Sequence, residues 1–302
     1  MTHAASKETH PTVQVSAVLG SYNRLAFLRA AVESTRDALA DLPHEIIVVD
    51  GGSTDGSLAW LARQKDIVTI VQHNRGQWRG KPVKRRSWGY FMNLGFKCAQ
   101  GRYVLMISDD CLLLPGAVSK GVEHLEALAS QGRRIGAGAF YWRNWPEDKD
   151  YRVGLTLGDK MFVNHGLYLR AALAEVGYVE ESRYSFYHAD GDLCLKLWQA
   201  GYETVDCPES YAEHFMHVNT ALRSGNNQRQ QEDWRTYLDH WTGIFYDPAL
   251  KNDGGWLWRS MDDPAQTAYS FPAWRRILLQ GKAVGMLRAA ARTVRSLSRG
   301  SQ

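Results

Sequence analysis

The chain has 302 residues, 44% of them hydrophobic and 23% charged, with a net charge of +4. That is the balance of a soluble globular protein long enough to bury a core without staples, and so small a net charge selects no class of partner. Cys98, Cys111, Cys194 and Cys207 show no C-x-x-C spacing, which argues against a zinc site or a redox pair, and no apolar run of about 18 residues or secretory leader is present, so a cytoplasmic protein with reduced thiols is expected.

Residues 1–11 are polar and aperiodic and read as a loose tail. Residues 12–20 read as a strand, and 24–39 as a helix with Leu25, Leu28 and Val32 at helical spacing. The run 44–50, "HEIIVVD", is apolar and β-branched, the pattern of a strand covered on both faces. A short helix at 57–64, a strand at 66–72 and a helix at 87–101 follow, the last ending at Gly101. Residues 102–110 read as a strand ending in two acids, 116–130 as a helix and 134–142 as a strand. The pattern loosens until 193–207, where a helix, Gly201 as its cap and a further strand are legible. From about 223 the chain turns polar and then tryptophan-rich. The expected organisation is a tail over 1–11, an α/β domain over 12–222 and a mainly helical, basic extension over 223–302.

Strands alternating with helices predict a doubly wound, mostly parallel sheet, and such sheets bind ligands at the carboxyl ends of their strands. Asp50 and Asp110 both fall there. Asp50 opens into "GGSTDGS", where a carboxylate can accept a hydrogen bond from the ring N–H of a base. "SYNR" at 21–24 offers a tyrosine face and polar contacts beside it. Ser53, Thr54 and Asp55 also suit the cap of the next helix.

In "ISDDCLLLPG" at 107–116, adjacent acids can hold a hard divalent cation, which prefers oxygen ligands. Strand alternation would send Ser108 and Asp110 one way and Asp109 the other, making Asp110 the metal ligand and Asp109 a neighbour for ribose. In "HADGDL", Asp190 and Asp192 bracket a glycine before a helix; two acids exceed what one cap needs. A base near a helix N-terminus has its anion stabilised, so burial must restore its basicity. His214 or His217 offers a neutral imidazole to a metal. Basic residues at 75, 79, 81, 84, 85 and 86 suit phosphate or an acidic acceptor, and equally a solvated loop.

In order and spacing, "VSAVLGSYNRLAFLRAAVES", "HEIIVVDGGSTDGS", "HNRGQ", "MNLGFKCAQGRYVLMISDD", "LLPGA", "FVNHGLYLRAALAEVGYVEE" and "ADGDLCLKLWQAGYETVDCPESYAEH" resemble the family 2 inverting glycosyltransferases of the GT-A fold over roughly residues 13–217. The resemblance implies a nucleotide-diphosphate-sugar donor, a divalent metal (Mn2+ or Mg2+) and single displacement with inversion. It places Asp190 as the base and Asp110 and His214 at the metal. Ser21, Tyr22, Asn23, Arg24, Asp50, Gly52, Ser53, Arg75, Asn93 and Asp109 fall on the donor side, and Gly166 and Asp192 on the acceptor side. Two positions depart from the family pattern: Ser108 stands where the first acid of D-x-D is usual, and Ala189 replaces the acid before Asp190.

The implied acceptor is a hydroxyl of a glycan or lipid-linked glycan, in surface polysaccharide or lipopolysaccharide synthesis. The competing reading, motivated by Ser108 and Ala189, is a catalytically weakened binding module in a glycan-assembly complex. No nucleic-acid motif accompanies the basic cluster, and nucleic acid is not expected as a partner. "LGSYNR" lacks the G-x-G-x-x-G turn of a dinucleotide enzyme. Over 284–300, Arg288, Arg292, Arg295 and Arg299 lie opposite an apolar face, as in a helix resting on an anionic membrane at the inner surface of the plasma membrane, or docking on its own domain.

Overall fold

The computed structural model describes residues 12–145, 148–215 and 229–260. The expected tail over 1–11, His217 and the amphipathic segment 284–300 lie outside those residues. In chain order the elements are β1 (Val15–Ser21), α1 (Leu25–Leu39), β2 (His44–Asp50), α2 (Ser57–Leu61), β3 (Ile67–Val71), β4 (Gln77–Trp78), β5 (Lys81–Pro82), α3 (Trp88–Cys98) and β6 (Tyr103–Ser108). Then come β7 (Cys111–Leu113), α4 (Ala117–Ser130), β8 (Ile135–Asn144), β9 (Tyr151–Thr156), β10 (Lys160–Met161), β11 (Gly166–Leu169), α5 (Arg170–Glu175), α6 (Ala189–Gln199), β12 (Glu203–His214), α7 (Gln230–Trp241) and β13 (Gly255–Arg259).

The main sheet runs β10-β9-β8-β11-β6-β1-β2-β3. Strands β6, β1, β2 and β3 are parallel, as the α/β reading expects. Strand β11 then enters antiparallel to both β6 and β8, so the sheet is mixed. Alternation along the parallel strands explains their unbroken apolar runs. Val18, Ile47, Val104 and Met106 pack on Met92 and Phe96 of α3 and Leu193 and Leu197 of α6. Ala17, Leu19, Ile46, Val48, Leu105 and Ile107 pack on Leu28 and Val32 of α1 and Val118 and Val122 of α4. With a helix layer on each face, both sets are mainly apolar, and the buried Ser16 of β1 spends its hydroxyl on Glu45.

This topology gathers one edge. The carboxyl ends of β1, β2 and β6 lie level, with Ser21 beside Asp50 and Gly20 beside Ser108. Because β11 is reversed, its first residue, Gly166, sits near that end of β6, opposite Met106. Strand β12 runs parallel to β8 and delivers His214 beside Asn144. Strand β7 then sets Cys111 directly across from His214.

The described part of the C-terminal segment joins this body. Strand β13 pairs with β9, and Tyr237 and Trp241 of α7 are buried in the same core as α6. That segment was expected to be mainly helical; β13 adds a strand to it.

Candidate active site

Asp50 is fully buried at the end of β2 and organises the loop after it. Its Oδ1 accepts the backbone N–H groups of Gly52 and Ser53 at 2.8 and 2.7 Å, and its Oδ2 accepts the Ser53 hydroxyl at 2.7 Å. Gly52 has φ +86°, and a Cβ there would meet the His73 ring at 2.3 Å, so the turn requires glycine. Ser53 Oγ in turn accepts the Asn23 backbone N–H at 2.9 Å, and Asn23 Oδ1 accepts the Thr54 N–H at 2.7 Å. The loops after β1 and β2 are thus tied together through Ser53 and Asn23. None of Ser53, Thr54 and Asp55 is the N-cap of α2, which is Gly56; Asp55 sits one residue before it and its Oδ1 accepts the Ser57 N–H at 3.1 Å. Tyr22 packs over Gly51, and the Arg75 guanidinium lies 5.3 Å from its ring centre. The expected reading of a base by Asp50 is therefore not how its carboxylate is used here; Tyr22 and Arg75 are the groups that face outward beside it.

The acids after β6 differ from expectation. Strand β6 ends at Ser108 and residues 109–110 form a turn, so alternation no longer separates the two side chains. Both converge on one cation: Arg24 Nη1 donates to Asp109 Oδ1 at 2.8 Å and to Asp110 Oδ2 at 2.7 Å. Asp109 is buried, and its Oδ2 has no hydrogen-bond partner among the described residues. Burial pushes its carboxyl above the usual range; one guanidinium shared by two acids returns less than desolvation costs. The Arg24 guanidinium is held more firmly charged by the same pair, Asp109 foremost.

The expected metal residues do meet. His214 Nε2 lies 3.7 Å from Asp110 Oδ1, the oxygen that Arg24 does not take. That separation is shorter than the roughly 4 Å sum of two metal–ligand bonds, so one cation can touch both. The imidazole is oriented for it. Asn144 Nδ2 donates to Asp148 Oδ2 at 3.1 Å, which turns Asn144 Oδ1 towards His214 Nδ1 at 3.0 Å. Nδ1 therefore carries the proton and Nε2 the lone pair. These residues fit a divalent cation on the Asp110–His214 side.

Asp190 and Asp192 part company. Two residues apart on α6, they point to different sides of the helix. Asp190 keeps partial access to solvent, and its Oδ1 accepts the Gly191 N–H at 3.0 Å. Burial pushes its carboxyl up to about 6, supplying the basicity that the helix N-terminus would otherwise remove. Asp192, expected on the acceptor side, is fully buried; its Oδ1 accepts the Tyr184 hydroxyl at 2.9 Å and the Trp241 indole N–H at 3.0 Å. It fastens α7 to α6 and cannot reach a substrate.

Two further positions are structural. Asn93 is buried, with its amide spent on Val179 and Glu181: Nδ2 donates to the Val179 carbonyl at 2.9 Å and to Glu181 Oε1 at 2.8 Å, and Oδ1 accepts the Val179 N–H at 3.1 Å. No donor atom is left for a nucleotide sugar. Gly166 has φ +153°, and a Cβ would lie 2.0 Å from the Gly138 carbonyl oxygen. It is the close approach of β11 to β8 that needs glycine there, not an acceptor. Gly166→Ala is expected to cost more than about 4 kcal/mol of stability, read from the denaturant midpoint.

Residues to which the motifs assigned no role complete the edge. Asp233 of α7 accepts the backbone N–H groups of Ser185, Phe186 and Tyr187 at 2.8, 3.0 and 3.0 Å, fixing the loop that leads to Asp190. His188 has φ +68°, and its ring stacks on Tyr237 at 5.4 Å. Cys111 and His165 stand beside His214, with Cys111 Sγ 3.4 Å from His165 Nε2. Sequence reasoning passed over Asp233 because α7 lies beyond the motif region, and over Cys111 and His165 because the two residues are far apart in the chain; the positive φ of His188 has no sequence signal.

A parallel half-sheet with loops tied at its carboxyl edge, an acid pair after β6 and a raised carboxyl at a helix start define a sugar-nucleotide transferase fold. Residues 16–169, just over half of the chain, match the model of glycosyl transferase family 2, and the chain belongs to that family. It is 25% identical to the uncharacterized protein y4gI of Sinorhizobium fredii, over 79% of this chain and 29% of that protein. Among solved structures it is similar to S. aureus TarS (TM-score 0.54, 15% identity, 79% of this chain and 41% of that one). A mannosyltransferase from Pyrobaculum calidifontis is also similar (TM-score 0.53, 16% identity, 92% and 75%). The chain thus spans less than half of the length of y4gI and of TarS.

Proposed function

We propose that this chain transfers a sugar from a nucleotide-diphosphate sugar to a hydroxyl of a glycan or lipid-linked acceptor, with inversion at the anomeric carbon. The observation that carries the reading is the convergence of Asp110 and His214, from opposite halves of the sheet, at the edge where the loops of β1 and β2 meet. The reading is supported by relatives in the fold whose structures hold UDP-GlcNAc (S. aureus TarS) and GDP-Man with Mn2+ (the P. calidifontis mannosyltransferase).

In this account Tyr22 and Arg75 flank the base, and the Asp50–Ser53–Asn23 lattice holds the loop they stand on. Asp110 and His214 would hold a divalent cation, whose chemistry is to offset charge on the departing diphosphate. Arg24 keeps Asp109 and Asp110 from repelling each other at that spot. Asp190 takes the proton of the acceptor hydroxyl as its oxygen attacks. Exposed Trp256 and Trp258, with Arg152 5.1 and 5.2 Å from their ring centres, offer stacking faces for sugars. Trp142 connects them to the site, edge-on to His214 at 5.4 Å and to Trp256 at 6.0 Å. Among the described residues no helix is long and apolar enough to cross a membrane. A membrane-facing role for 284–300 remains a proposal, tested by flotation of the full chain with anionic vesicles at low salt.

The test is turnover of UDP-, GDP- and dTDP-sugars, with glycan acceptors, followed by release of the nucleoside diphosphate. One base class is expected to be consumed, with the product of opposite anomeric configuration by NMR. A donor that binds but is never cleaved with any acceptor favours the binding-module reading that Ser108 and Ala189 suggest.

A further inference from the structure

We propose that Cys111, His165 and His214, with Asp110 at their side, form a mixed sulfur–nitrogen cation site that selects a borderline divalent metal, zinc or cobalt(II), over magnesium. The proposal deepens the reading above, on which it rests for the metal's role in transfer; the site itself is argued from geometry alone.

Three elements build it. Cys111 opens β7 and pairs across the ladder with His214, the last residue of β12, so the two side chains share a face. His165 immediately precedes β11, and its carbonyl accepts the Phe140 N–H at 2.8 Å, which pins it to β8. One ligand atom from each of the three lies within 4.8 Å of the others. The Cys111 Sγ to His165 Nε2 distance of 3.4 Å is close to the edge, about 3.5 Å, of a zinc tetrahedron with one sulfur and one nitrogen. Asp110 Oδ1 lies 4.0 Å from Cys111 Sγ and 3.7 Å from His214 Nε2, the place of a fourth ligand.

The surroundings suit a held cation. His165 is 2% exposed, so the Nε2 that faces Cys111 is shielded from bulk water. Trp142 packs edge-on against both imidazoles, at 6.3 and 5.4 Å, and narrows access to the site. Asn144, itself fixed by Asp148, sets the tautomer of His214. Magnesium asks for oxygen ligands in octahedral array, and two nitrogens with a sulfur do not supply them; zinc and cobalt(II) accept that set. On binding, the Cys111 thiol loses its proton to solvent and the thiolate becomes the ligand.

The test is cobalt(II) titration of the full chain under reducing conditions, after dialysis against chelator and without nucleotide. The expected result is a near-ultraviolet thiolate-to-cobalt charge-transfer band together with visible tetrahedral bands. Equimolar zinc should displace both, and excess magnesium neither. Cys111→Ser loses the near-ultraviolet band, whereas Cys98→Ser, at an exposed thiol elsewhere, keeps it. His165→Asn weakens cobalt binding by at least about tenfold, which keeps the proposal testable if Cys111→Ser fails to fold. No charge-transfer band in the wild type, a band surviving in Cys111→Ser, or displacement by magnesium would overturn it. Nucleoside diphosphate binding measured separately in magnesium distinguishes this failure from failure of the donor-site reading.

Discussion

Asp190→Asn is expected to lower the transfer rate by about 10²–10⁴-fold while leaving donor affinity and folding intact. The reasoning starts from the position of the carboxyl. It stands in the first turn of α6, where backbone N–H groups stabilise an anion, yet burial raises it to about 6. Below that value it carries a proton and cannot accept one, so transfer should fall as pH drops through about 6. The sign for stability is opposite. An acid whose carboxyl is raised in the folded state favours folding while protonated, and that contribution is lost as pH rises through its folded value. Asparagine is never ionised, so the variant should be at least as stable as the wild type at alkaline pH. An inactive variant that is also unstable there would point to a structural role. The affinity of donor, read by calorimetry, separates lost chemistry from lost binding.

Arg24→Ala is expected to destabilise the fold by about 3–5 kcal/mol, because it removes the guanidinium that both Asp109 and Asp110 bond. The Asp109 and Asp110 side chains are 5% and 9% exposed, and both rest on Arg24 Nη1. The loss should depend on pH. Asp109 is already raised by burial, and removing the guanidinium raises it further. Its ionised form is the costly one, so the destabilisation is greatest at neutral and alkaline pH and shrinks in acid as Asp109 takes a proton. Arg24→Lys restores the charge on a single nitrogen, which is what bonds both acids here, but on a shorter side chain, and should recover only part of the stability. Denaturant midpoints across pH for the three proteins check this. A loss under about 1 kcal/mol in Arg24→Ala would place the pair among weak surface bridges.

The elements were legible where a single physical rule governs them. β2 was expected over 44–50 and lies there, because a strand packed on both faces must be apolar throughout. The mixed right half of the sheet was not legible, since the reversed entry of β11 depends on Gly166 fitting against Gly138, a contact no periodicity announces. The meeting of Asp110 and His214 followed from the family resemblance and stands in the structure. Asp109 was set facing away by strand alternation, and the strand stopped one residue too soon for that rule. Asn93 and Asp192 sit in motif segments, yet their polar groups are consumed by Val179 and Glu181 and by Tyr184 and Trp241. C-x-x-C spacing argued against a zinc site; it carries no information on Cys111 meeting His214, which the pairing of β7 with β12 brings about.

The most direct measurement is thermal stability with UDP, GDP and dTDP, each with and without divalent metal (manganese or zinc), in the wild type and in Asp110→Asn. A ligand at a hundred times its dissociation constant adds about 2.7 kcal/mol. The account predicts a metal-dependent rise for one base class, lost in Asp110→Asn. No rise with any nucleotide under any metal would contradict the claim that this sheet edge is a donor site.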